Sequence, residues 1–159
     1  MSDSGGQPRF LDIGVVDVEF GANVKVVQPA NLYGCKIGDD CFIGPFVEIQ
    51  KDVSIGARCR IQSHSFVCEL VTIGDDCVVA HGVMFINDTF ASGGPARGNK
   101  ELWKTTQIGN NVSIGSNATI LPVRICDNVV IGAGSVVVKD VTVAGIYAGN
   151  PARIIRSFE

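Results

Sequence analysis

Along most of this chain an aliphatic or aromatic residue returns every sixth position. The beat runs through Ile37, Ile43, Ile49, Ile55, Ile61, Val67, Ile73, Val79 and Phe85. After a break it resumes at Ile108, Ile114 and Ile120, slips by one residue to Ile125, and continues at Ile131 and Val137. The residue after the beat is often small, as at Gly38, Gly44, Gly56, Gly74, Ala80, Gly109, Gly115 and Gly132. Four residues after the beat stands a small or β-branched residue, such as Cys41, Val47, Val53, Cys59, Val71, Cys77, Val83, Val112 or Ala118. A helix wants apolar residues at i, i+3, i+4 and i+7, and a lone strand wants strict alternation. A sustained period of six fits neither. A repeat this short buries nothing by itself and must stack on its neighbours, so the pattern predicts a solenoid of short strands and tight turns. Glycine held at one phase implies an unusual backbone or a close approach.

The hexads fall into stretches over 37–54, 55–72, 73–90, 108–124 and 125–142. Residues 1 to about 12 read as a loose leader. Residues 13–36 read as an imperfect first coil with Asn31 at a beat position. The beat is interrupted by an insertion over 91–107, rich in Gly, Pro and polar residues and holding the one tryptophan, Trp103. Long loops in compact domains are commonly functional or disordered, and in solenoids they project from a corner. The last coils lack a residue near Pro122-Val123-Arg124, which implies a tighter corner there. Residues 143–159 form a cap whose Arg153-Ile154-Ile155-Arg156 run is either a short helix or extended.

On these features the chain resembles the hexapeptide-repeat transferases over roughly residues 13 to 156. The resemblance implies an all-β fold, a left-handed parallel β-helix of hexapeptide repeats with three hexads per coil, usually trimeric, so that each of these stretches is one coil. The whole of 1–159 is then one domain.

Composition narrows the partners. The formal net charge is −3, charged residues are 18% and hydrophobic residues 46%. The absence of a basic run argues against nucleic acid and against membrane surfaces. No apolar stretch is long enough to span a bilayer. The polar start MSDSGGQPRF has no signal-peptide core, so a cytoplasmic location is the expectation. An apolar wall on so weakly charged a chain points to oligomerisation. Of the six cysteines, Cys35, Cys41, Cys59 and Cys77 fall at the small inward phase, and Cys68 and Cys126 just after the beat. Cys41, Cys59 and Cys77 are expected in one column about 4.8 Å apart. Small core residues in a reducing cell are the first reading. A soft-metal ladder or a disulfide remains the second, without the usual CxxC spacing.

Three phrases carry a narrower resemblance. They are Phe85-Ile86-Asn87-Asp88, then Trp103 in the insertion, then Ser113 to Ile120. Their order is similar to that in enzymes that N-acetylate amino groups on nucleotide-linked (UDP or dTDP) deoxysugars for bacterial surface glycans. Gly149-Asn150-Pro151-Ala152-Arg153 matches a phrase widespread among hexapeptide acyltransferases. The group often has Pro-Arg soon after Asn-Asp. Here Ala91-Ser92-Gly93-Gly94 follows instead, which makes Arg97 the candidate for a displaced sugar or phosphate contact.

The resemblance implies acyl transfer from acetyl-CoA to an amine, with no metal and with sites between subunits of a homotrimer. A histidine suits a general base near neutral pH, and the chain has only His64 and His81. His81 is the candidate base, with Asn87 as its catalytic companion. Asp88, His64, Arg97 and Trp103 are candidates for the acceptor. Gly115, Ser116, Ala133 and Gly134 are candidates for the pantetheine groove, and Lys139 and Arg153 for the coenzyme phosphates. The hexad phase sets His64 and His81 near one corner, one coil apart. It sets Asn87 at a different corner from His81 in the same subunit. They share a site only across an interface, or one is not catalytic. A base-free route by proximity also stands, the leaving thiolate taking the proton. The alternatives to N-transfer are sugar O-acetyl transfer and a non-catalytic scaffold subunit.

Overall fold

The computed structural model describes residues 14–158. The leader expected over residues 1 to about 12, and Glu159, lie outside the described residues. The chain is a parallel β-solenoid of about seven turns, consistent with a left-handed β-helix. Its three faces are named here in the order the chain meets them. The first face stacks Val15–Val16, Asn31–Tyr33, Glu48–Ile49, Phe66–Val67, Met84–Phe85, Thr119–Ile120 and Val136–Val137. The second stacks Glu19–Phe20, Lys36–Ile37, Ser54–Ile55, Val71–Ile73, Thr106–Ile108 and Arg124–Ile125. The third stacks Lys25–Val26, Phe42–Ile43, Arg60–Ile61, Val78–Val79, Ser113–Ile114 and Val129–Ile131. Gly145–Ala148 extends the third face in parallel, and Arg153–Ser157 closes it antiparallel. The Arg153 run is therefore extended, not helical.

Every beat residue from Ile37 to Val137 is at most 4% exposed, so the period of six is the core. The strands are mostly two residues long, and their stability comes from the coils above and below rather than from neighbours in sequence. Asn31 departs from expectation. It faces outward opposite Glu48, and Leu32 takes the core position opposite Ile49. An amide carried inward there would need a hydrogen-bond partner among aliphatic side chains, which leucine does not.

The glycines after the beat have a definite cause. None of Gly38, Gly44, Gly56, Gly74, Gly109, Gly115 and Gly132 has positive φ. They are required by close approach: a Cβ at Gly38 would lie 2.6 Å from the carbonyl carbon of Gly56 in the next coil. The left-handed residue comes two positions later, at Asp40, Phe46, Arg58, His64, Asp76, Asn111 and Asn117. All these small residues belong to the second and third faces. On the first face the same phase carries Tyr33, Gln50, Cys68, Ile86, Leu121 and Val138.

Corners are held by side chains as well as by backbone. Between the second and third faces, Asp39, Asp75, Asn110 and Asp127 accept from the N–H groups of Ala22, Ala57, Asp75 and Asn110 at 2.7–2.8 Å. Ala57 interrupts this ladder, and Arg58 bridges to Asp76 at 2.7 Å instead. The Cys41, Cys59 and Cys77 thiols form the expected column. Each donates to a glycine carbonyl of the next coil at 3.1 Å, on Gly56, Gly74 and Gly109 respectively. All six cysteines are free. The tighter corner near Pro122 is present, with Ile125 pairing with Ile108 and Asp140 accepting from the Arg124 N–H at 2.8 Å. Among the described residues no helix is long and apolar enough to cross a membrane.

Candidate functional site

Two clusters flank the first face, one at each corner. At the corner where the third face turns into the first, the hexad turns stack in register. Successive backbone bonds run from His64 N–H to Pro45 O, Gly82 N–H to Ser63 O, Asn117 N–H to His81 O, and Gly134 N–H to Ser116 O. This column brings His64, His81, Gly115, Ser116, Ala133 and Gly134 together. His64 and His81 are both exposed and one coil apart, as their phase implies. His81 sits directly over Ser63, whose Oγ lies 2.9 Å from Nδ1. If Nδ1–H donates to that hydroxyl, Nε2 keeps the lone pair a base needs. Above His81 the corner is lined by small residues. A Cβ at Gly134 would meet nothing within 4 Å, so the backbone there is open to approach. That fits a narrow, flexible thioester arm.

The second cluster lies where the first face turns into the second. The chain leaves the coil after Phe85 and returns at Thr106, so Thr106 and Gln107 already belong to the solenoid. Asn87 is at the root of the excursion. Its Nδ2 donates to the Glu69 carbonyl at 3.2 Å, and its own carbonyl accepts from Lys104 N–H at 3.0 Å. Asp88 folds the loop: its carboxylate accepts from Phe90 N–H at 3.0 Å and from Ala96 N–H at 2.7 Å. Lys100 pairs with Glu69, and this raises its pKa. Lys100 also lies 5.2 Å from the centroid of Trp103. Trp103, Lys104, Thr105, Pro122, Val123, Arg124 and Asp140 line a cleft of about 420 Å³. Arg97 is exposed on the loop with φ 52°. Lys139 and Arg153 meet in a second cleft of about 310 Å³, which Asp140 and Tyr147 also line.

His81 and Asn87 therefore flank the Met84–Phe85 strand at its two corners, as their phase implies. Sequence reasoning missed Ser63, Phe46, Glu69 and Arg124. Ser63 and Phe46 face their partners only because the coils stack at near 18-residue spacing. Glu69 and Arg124 are brought to the loop by its fold.

Family comparisons agree with this architecture. Residues 34–69 match the model described as "Bacterial transferase hexapeptide (six repeats)", and 105–139 match "Hexapeptide repeat of succinyl-transferase". The chain belongs to the hexapeptide-repeat transferases. Within that family it is 44% identical over 126 residues to galactoside O-acetyltransferase of Escherichia coli (strain K12), covering 76% of this chain and 62% of that protein. It is 29% identical over 151 residues to the bifunctional protein GlmU of Streptococcus uberis, covering 89% of this chain and 32% of that one. The chain thus spans less than two thirds of these relatives. Among solved structures it is similar to AntD, an N-acyltransferase from Bacillus cereus in complex with dTDP and 3-hydroxybutyryl-CoA. The TM-score is 0.74 at 27% identity, covering 87% of this chain and 82% of that one.

Proposed function

We propose that this hexapeptide-repeat protein is an acyl-CoA-dependent N-acyltransferase that modifies the amino group of a nucleotide-linked (UDP or dTDP) amino-deoxysugar for surface glycan synthesis. The observation that carries the reading is one corner column in which His81, held by Ser63, stands below a run of small residues whose backbone is open to approach at Gly134. Acetyl-CoA is the donor we favour. The AntD complex, with dTDP and an acyl-CoA, supports a nucleotide-linked acceptor and a coenzyme A thioester. We place the reaction in the cytoplasm, where six free thiols persist.

The first face supports a homotrimer. Its outward residues in the later coils are Phe66, Met84, Ile86, Thr119, Leu121, Val136 and Val138, all but one apolar, whereas the second face presents Glu19, Lys36, Ser54, Thr72, Gln107 and Arg124. Met84 and Val138 are 41% and 40% exposed, as expected of a wall awaiting a partner. Packing three such faces about an axis sets the His81 corner of each copy against the loop corner of the next. Asn87, Asp88, Arg97 and Trp103 then complete the acceptor side. Lys139 and Arg153 take the coenzyme phosphates on the same neighbouring corner.

In the reaction the neutral amine attacks the thioester carbonyl. His81 Nε2 accepts the ammonium proton, the C–S bond breaks, and the thiolate leaves to take up that proton. The products are an amide and free coenzyme A. Asn87 orients the amine through its Oδ1.

A second reading is O-transfer to a sugar hydroxyl, favoured by the 44% identity to galactoside O-acetyltransferase. The deciding experiment incubates the protein with acetyl-CoA and either UDP- and dTDP-linked amino sugars or galactosides. Mass spectrometry expects an acetylated amino sugar. An acetylated galactoside alone would replace the reading with O-transfer. Coenzyme binding with no product from either set would leave a scaffold role.

A further inference from the structure

Phe46 occupies a turn position where a large side chain is out of place. At the corner that holds His81, the left-handed residue of successive coils is Phe46 (φ 59°), His64 (64°), Gly82 (67°), Asn117 (59°) and Gly134 (68°). Glycine and asparagine suit that backbone, while a bulky residue there is strained. Packing within the subunit does not explain the choice, because Phe46 is 57% exposed there. Its ring instead stacks on that of His64 in the next coil, with centroids 4.9 Å apart and planes at 27°. Arg58 and Leu70 share the left-handed backbone, so the distinguishing feature is two adjacent exposed aromatic rings stacked on each other.

The corner also changes character along the axis. Phe46 and His64 lie below His81, and Ser116, Asn117, Ala133 and Gly134 lie above it. The upper part suits a slender thioester arm, and the lower part suits a flat ring. Phe46 is two coils below His81, about 10 Å along the axis. In a nucleotide sugar the base is separated from the hexose by a ribose and two phosphates, a span of this order. We propose that the Phe46–His64 stack is the platform for the base of the nucleotide-linked acceptor, with Phe46 the residue that gives the site its grip on the nucleotide. The proposal rests on the nucleotide-sugar reading above. Stacking on an aromatic side chain accepts any base, because every base has a π face. The platform therefore binds both UDP and dTDP.

Calorimetry with dTDP or UDP alone tests this on the full chain. Phe46→Gly and Phe46→Asn remove the ring and keep a residue suited to left-handed backbone, so neither is expected to unfold the corner. The expected result is nucleotide binding weaker by roughly 5- to 100-fold. Coenzyme A affinity and oligomeric mass are expected to stay unchanged, and Phe46→Trp to retain binding. Unchanged nucleotide affinity in Phe46→Gly overturns the platform while leaving the function standing. So does weakened coenzyme A binding, or a change in oligomeric mass, which would make Phe46 a contact between copies. Wild-type protein that binds coenzyme A but neither nucleotide overturns the nucleotide-sugar reading and the platform with it.

Discussion

Replacing His81 with alanine separates catalysis by a base from catalysis by proximity. The side chain is exposed and makes one hydrogen bond, to Ser63. Losing it is expected to change stability by no more than about 0.5 kcal/mol, the range for surface substitutions. A positioned general base contributes roughly 10²- to 10⁴-fold, equivalent to about 3–5 kcal/mol of barrier. The two magnitudes differ enough that a drop in activity is not a folding effect. The assay is kcat/KM for acetyl transfer at a pH where the acceptor amine is neutral, with thermal unfolding measured on the same preparations. His81→Ala is expected to lose at least 100-fold in rate with its unfolding midpoint unchanged. Ser63→Ala is expected to fall between it and the wild type, because the ring loses the one side chain that holds it. A loss under tenfold in His81→Ala would refute a base at this position and leave the leaving thiolate to take the proton.

Three further outcomes follow from the geometry. A Cβ at Gly56 would lie 2.3 Å from Asp75 Oδ1 and 2.7 Å from the Gly74 carbonyl carbon, so Gly56→Ala is expected to lower stability by about 1–3 kcal/mol in denaturant unfolding. Gly94→Ala, which meets nothing within 4 Å, is the neutral control. Burial pushes the Cys68 thiol from 9.0 to about 12. Because the folded form holds that proton more tightly, the stabilisation is complete below about pH 9 and is lost as pH rises toward 12, by up to about 4 kcal/mol. Unfolding titrations of Cys68→Ala are expected to show a flatter alkaline limb. Asp88→Ala removes the acceptor of the Phe90 and Ala96 N–H groups. Faster hydrogen exchange confined to the loop is expected, with a higher KM for the acceptor and the solenoid unchanged.

The coils were legible because a six-residue unit can bury its apolar residue in only one way, toward the axis. The beat from Ile37 to Val137 therefore gave the core, and the slip at Ile125 gave the tight corner. The first coil was less legible. Its grammar is weak, and Asn31 holds the beat phase while Leu32 holds the core. The corners of His64, His81 and Asn87 also followed from phase. What each side chain touches did not. Asn87 bonds the Glu69 carbonyl and Asp88 folds its own loop, and no period announces either contact.

The sequence by itself determined a solenoid of six-residue units and the presence of a loop between the beats at Phe85 and Ile108. Both follow from local phase and from the need of short strands to stack. Only the tertiary structure decided which face is apolar, because Phe66, Met84, Leu121 and Val138 come from successive coils and are far apart in sequence. The same holds for the pairing of Ser63 with His81 and of Phe46 with His64. Each depends on the length of the coil between the partners, and a one-residue change in that length would bring different side chains together.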